Sequence, residues 1–118
     1  MRSVSRFAPP ILLMALIFAL SAQPDLNSGL GTWDLILRKC AHMAEFGLLW
    51  FLWWRALGYG NRAIPAAIAI GYAITDEIHQ SFVDGRHAAV EDVLIDGAGV
   101  LIAIAVTHAV RSRRALAA

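Results

Sequence analysis

Apolar residues fall into four runs along this chain, with polar stretches between them. Residues 7–22, FAPPILLMALIFALSA, make the first run, and Arg2 and Arg6 stand just before it. Residues 40–57 make the second, rich in Leu, Phe and Trp. The third, residues 63–80, opens apolar and ends in Asp76-Glu77-Ile78-His79-Gln80; the fourth covers residues 91–110. Each run lies near the short end of the ~20 residues a helix needs to cross a bilayer. Gly58-Tyr59-Gly60-Asn61 predicts a tight turn between the second and third runs, and Asp84-Gly85-Arg86 another before the fourth. No internal repeat or low-complexity tract is visible. The pattern predicts an all-α fold, a four-helix transmembrane bundle over residues 1–118 as one domain.

Composition strengthens the membrane assignment. The chain is 58% apolar and only 16% charged, against an average of about 45–50% apolar for soluble domains. A soluble domain of this size needs more polar surface to cover itself. The first run also has features of a signal peptide, namely a basic start and Ala19-Leu20-Ser21 as a cleavage site. The membrane-like remainder favours a retained helix. The single cysteine, Cys40, cannot form an intramolecular disulfide. A net charge of +1 without an aromatic-interleaved basic stripe gives no basis for nucleic-acid binding.

Charge distribution sets an orientation. With four spans both ends share a side, so Arg2, Arg6, Arg55, Arg62, Arg111, Arg113 and Arg114 gather on one face. Only Arg38, Lys39 and Arg86 stand opposite. The positive-inside rule then predicts cytoplasmic N- and C-termini. All nine acids, Asp25, Asp34, Glu45, Asp76, Glu77, Asp84, Glu91, Asp92 and Asp96, fall on the other side. Acids contribute little to orientation, so their segregation points to a site.

Spacing groups these residues further. Lys39, His42 and Glu45 follow one another at steps of three along a slanting stripe, Glu45 about 9 Å beyond Lys39. Asp76 and Gln80 share a helix face, Glu77 and Gln80 are neighbours, and Asp92 and Asp96 repeat the four-residue spacing. An Asp at the centre of a membrane helix costs about 2.5–3.5 kcal/mol on insertion scales. Several are tolerable only if paired, protonated or facing a wet cavity. The expected cluster is Lys39, His42, Glu45, Asp76, Glu77, Gln80, Arg86, Asp92 and Asp96. Two outcomes remain open for it: an ion-pair network joining the helices, or a ligand-binding or catalytic site. His42-x-x-Glu45 and Asp76-x-x-His79 have a spacing used in helical metal sites, but such pairs arise by chance and no HExxH is present. No metal and no cofactor are expected. The four tryptophans are expected to anchor at the membrane interface, and Gly97 and Gly99 to allow close helix approach. His79 is expected at the interface or bonded to a neighbour.

At these residues the chain resembles the VanZ-like family of small bacterial membrane proteins. The resemblance rests on Ser21-Ala22-Gln23-Pro24, on Arg38-Lys39-x-x-His42-x-x-Glu45-Phe46-Gly47-Leu48, and on Asp76-Glu77-Ile78-His79-Gln80-x-Phe82-x-x-Gly85-Arg86 followed by Asp92-x-x-x-Asp96-x-x-Gly99. The chain departs from the family in having Asp84 where proline is usual and Ala89 where a small hydroxyl is common. The resemblance implies a multi-pass protein of the bacterial cytoplasmic membrane, surrounded by lipids, and a link to glycopeptide (teicoplanin-type) resistance. Together these lead to an extracytoplasmic polar cluster that binds or processes a lipid-linked envelope ligand or a glycopeptide. The alternatives are an intramembrane enzyme using carboxylates and His42 as acid and base, and a structural or partner-binding protein held by an ion-pair network. No nucleophile motif or phosphate-cradling glycine loop favours the enzyme.

Overall fold

The computed structural model describes residues 2–21, 31–82 and 90–117. Four helices occupy them, with no strand among the described residues: α1 (Arg2–Ser21), α2 (Thr32–Ala56), α3 (Ala63–Gln80) and α4 (Val90–Ala117). The fold is all-α with four helices, as the pattern predicts. α3 coincides with its apolar run, while the other helices extend beyond theirs. α2 starts at Thr32 because nothing from Trp33 to Lys39 breaks a helix. Its apolar run starts only after Arg38-Lys39. α4 continues past residue 110 through Arg, Ala and Leu, all strong helix formers. Arg114 in its last turn complements the helix dipole.

α1 contains Pro9 and Pro10. Neither can donate a backbone N–H, so the carbonyls of Ser5 and Arg6 lose their usual partners one turn earlier. Arg55 of α2 donates to the Ser5 carbonyl at 3.1 Å. Arg6 in turn donates through its guanidinium to the carbonyl of Ala56, in the last turn of α2. Thus a proline defect and a helix end are both satisfied by arginines, which tie α1 to α2.

The α2–α3 turn is a Schellman motif. Gly58 adopts φ +85° and donates to Arg55, and Tyr59 donates back to Trp54. The Tyr59 ring meets Trp54 edge-on at 5.1 Å, supplying the apolar contact typical of this cap. The Trp54 indole N–H donates to Gly60 O and that of Trp50 to Arg62 O, both at 3.1 Å. Asn61 Oδ1 accepts from the N–H of Ala63 at the start of α3. Pro65 lies in the first turn of α3, where a missing N–H costs little.

α2 is the central helix and touches all three others; among the described residues, α1 and α4 do not meet. α2 and α4 run parallel and make the most extensive interface. Their close approach depends on Gly99: a Cβ there would lie 2.7 Å from Met43 Cα. Gly47 faces the same seam, 3.0 Å from Gly99 O when given a Cβ. Gly97 meets nothing within 4 Å, so of the two α4 glycines only Gly99 serves close approach. The core joins Phe46, Leu49, Trp50 and Trp54 of α2 to Ala69 and Ala73 of α3, Val100 of α4 and Ile17 of α1. The tryptophan expectation therefore needs correction: Trp50 and Trp54 are buried core residues that hold the turn, and Trp33 is exposed.

Two helices, over Ser3–Leu20 and Val90–Leu116, are long and apolar enough to cross a membrane. Only 11% and 17% of those stretches is buried, so their apolar side chains face outward rather than into a core. α2 and α3 were also expected as spans. They do not meet that criterion, because Arg38, Lys39, Glu45 and Arg55 interrupt α2 and Asp76 and Glu77 lower the hydropathy of α3.

Candidate functional site

The helix arrangement brings the first half of α2, the last turns of α3 and the first turns of α4 to one end of the bundle. Two cross-helix pairs join α2 to α4 there. Lys39 Nζ lies 3.6 Å from Asp92 Oδ1, with both side chains about one-third exposed (38% and 36%). Solvent screens such a pair, which contributes on the order of 1 kcal/mol or less. One turn deeper, His42 Nδ1 lies 3.4 Å from Asp96 Oδ1. That separation is an electrostatic contact, longer than a good charge-assisted hydrogen bond. The Asp96 side chain is 3% exposed and that of His42 is 32% exposed. The two stripes predicted from spacing, 39–42–45 and 92–96, thus face each other across the parallel α2–α4 seam.

α3 contributes the rest. Asp76, Glu77 and Gln80 are all buried, as is Asp96 of α4. Glu45 is half-buried and interacts electrostatically with His42, Asp96 and Asp76. Asp96 interacts electrostatically with His42, Asp76 and Asp92. Asp76, Glu77, Gln80 and Arg38 each have an interaction partner. Of the nine predicted residues, eight are described and collect at this end; Arg86 lies outside the described residues.

One participant was missed by the spacing. Tyr72 precedes Asp76 by one turn on the same face, interacts with it electrostatically, and donates its hydroxyl to Met14 O of α1. Its i, i+4 relation to Asp76 could have revealed it. His79 stacks on Phe18 of α1 with ring centroids 3.9 Å apart, a packed neighbour contact as expected.

Chemically, acids outnumber bases among the described residues of this end. Glu45, Asp76, Glu77, Asp92 and Asp96 face Arg38, Lys39 and His42, and the imidazole is charged only when protonated. Buried carboxylates need compensation from cations, protons or donors. The described His, Cys, Asp and Glu form no group of three or more suited to a metal ion.

The opposite end has the reverse character. The start of α1, the end of α2, the start of α3 and the end of α4 bring arginines and aromatic rings together. Arg62 and Arg111 lie over the Trp54 ring at 5.4 and 5.0 Å, and Trp50 stacks on Trp54 at 5.1 Å. No Asp or Glu among the described residues lies there.

A family model described as VanZ/LLP1 matches residues 7–111. The chain belongs to the VanZ/LLP1 family. The match takes in every residue of the predicted cluster, together with the α2–α4 glycine seam. No curated protein and no solved structure matches the chain. Membership of the VanZ/LLP1 family accords with the outward-facing apolar helices α1 and α4.

Proposed function

We propose that this VanZ/LLP1 protein is a multi-pass protein of the bacterial cytoplasmic membrane with a ligand-binding pocket at its acidic end. The acidic end faces outward and the arginine end, with both termini, faces the cytoplasm. The ligand is a lipid-linked or otherwise amphipathic envelope molecule whose polar or cationic head enters the carboxylate cluster. Glu45, Glu77, Asp92 and Asp96 supply acceptors and negative charge. Lys39 and Arg86 balance them, and His42, Asp76 and Gln80 orient the group. A link to glycopeptide resistance would follow if that ligand were the antibiotic or its envelope target.

The observation that carries this reading is an inside-out distribution of polarity. Asp76, Glu77, Gln80 and Asp96 are buried at 2%, 8%, 4% and 2% exposure, while Leu12, Leu101, Ile102 and Val106 are more than half exposed. Apolar surface on this scale marks contact with lipid or a partner. Ionisable residues enclosed within such a bundle mark functional sites by default. Ile17 in the core and the Tyr72 bond to Met14 make α1 a full member of the bundle, which supports its retention.

The test is mass spectrometry of amphiphiles that co-purify with the wild type and with Glu77→Gln. A species enriched on the wild type and depleted on the variant, at equal yield of folded protein, supports the pocket. Identical profiles contradict it.

The contact of His42 with Asp96 supports a second reading, an acid/base enzyme. A carboxylate beside an imidazole is the orienting half of a general-base arrangement. Turnover of labelled envelope lipids by purified protein, lost in His42→Gln, would establish it.

A further inference from the structure

The outer seam between α2 and α4 forms two adjoining hollows. One, of about 460 Å³, runs beside Cys40, Gly47, Gly99 and Ala103 and has almost entirely apolar walls. The other, of about 350 Å³, lies toward the arginine end, beside Phe51, Tyr59, Val110, Arg111 and Arg114. Val106 and Thr107 line both, so the two hollows form one groove. The groove exists because Gly47 and Gly99 draw the helices together and leave no side chain to fill the seam.

From this groove we infer a binding site for an anionic phospholipid, separate from the carboxylate cluster. Its acyl chains lie along the apolar part of the seam and its phosphate lies between Arg111 and Arg114. Three observations commit the groove to this occupant. The apolar part is open on its outer side and runs into the second hollow at Val106 and Thr107, as a lipid tail requires. Among the residues that line the groove, cations occur at one end only, matching a molecule charged at one end only. No described carboxylate lies near Arg111 or Arg114 to compete for them. Arg111 is also held in place, its guanidinium over Trp54 at 5.0 Å, and a planar fork already oriented suits a phosphate. The site rests on the membrane placement proposed above, which puts this end in the leaflet where anionic lipids concentrate. It does not depend on the carboxylate pocket having a ligand.

The test uses full-length protein in nanodiscs or detergent with phosphatidylglycerol, and with phosphatidylcholine of the same chains as the zwitterionic control. Native mass spectrometry should show preferential retention of phosphatidylglycerol. In the double variant Arg111→Gln/Arg114→Gln that preference should fall roughly thirtyfold, two basic residues each contributing a surface charge contact. Thr107→Phe, which fills the junction of the hollows, should lower retention of both lipids and leave the arginines in place. Alkylation of Cys40, which is exposed and lines the groove, should slow when phosphatidylglycerol is present and not when glycerol phosphate or inorganic phosphate replaces it. Equal retention of the two lipids, or an unchanged preference in the arginine variant, overturns the proposal. A Cys40–Cys40 cross-link at high yield in the membrane, with no lipid retained, overturns it in favour of a second copy of the chain in the groove.

Discussion

Gly97 and Gly99 stand two residues apart on α4 and should respond oppositely to the same change. A Cβ on Gly99 would meet the Met43 backbone at 2.7–2.8 Å, and backbone cannot swing aside as a side-chain tip can. Gly99→Ala should therefore force α2 and α4 apart, with a loss of about 1–3 kcal/mol. Gly97 has open space around it, and Gly97→Ala should be neutral or stabilising by up to about 1 kcal/mol through helix propensity. Thermal unfolding of both variants in detergent checks the contrast; equal behaviour would show that the seam is not tight. The chain's pattern placed both glycines on the α4 interface but could not separate them. Which glycine faces α2 depends on the helix's rotation about its own axis. Trp50 and Trp54 were misplaced for a similar reason. Their composition fits an interfacial belt, while their positions on the inner face of α2, and their N–H bonds to Gly60 and Arg62, are set by the fold.

At the level of elements, α1 is joined to α2 by a repair of its own proline defect. Pro9 leaves the Ser5 carbonyl without its intrahelical donor, and Arg55 supplies one from α2. The two features should be energetically coupled. Arg55→Ala should cost about 0.5–1.5 kcal/mol in the wild type, and clearly less in a Pro9→Ala background, where the helix can satisfy Ser5 itself. A double-mutant cycle in thermal stability measures the coupling; strictly additive effects would argue against the repair. Sequence periodicity gave α3 its limits and gave the other helices only their apolar portions. Helical backbone continues wherever propensity permits, whereas a hydropathy window ends at the first charges. Hence the apolar run leaves out residues 32–37, the first turns of α2, whereas the spacing of Lys39, His42 and Glu45 places Lys39 on that helix, within reach of Asp92.

Across the whole molecule, charge is sorted by end. Among the described residues, acids and their few partners occupy one end, most arginines and the stacked aromatics the other, and a largely apolar outer surface lies between. The cluster was readable in advance because residues three or four apart share a helix face, as Lys39, His42 and Glu45 do on α2 and Asp92 and Asp96 on α4. Which stripe would meet which was not readable, since that depends on α2 and α4 running parallel with Gly99 against Met43. Replacing Lys39 and Asp92 together by Met and Leu separates architecture from function. If the exposed pair is weak, as its geometry indicates, the protein should keep its abundance and lose no more than about 1 kcal/mol of stability. A large loss would favour the ion-pair network over a ligand pocket.

The decisive measurement is the accessibility of the two ends in intact cells. In a Cys40→Ser background, Phe82→Cys places a thiol at the acidic end, where Phe82 is 82% exposed. Asn61→Cys places one in the exposed turn at the arginine end. A membrane-impermeant maleimide should label the first and reach the second only after the cells are opened. Labelling of both thiols in intact cells, or of the arginine end alone, would contradict an acidic pocket that opens to the outside of the membrane.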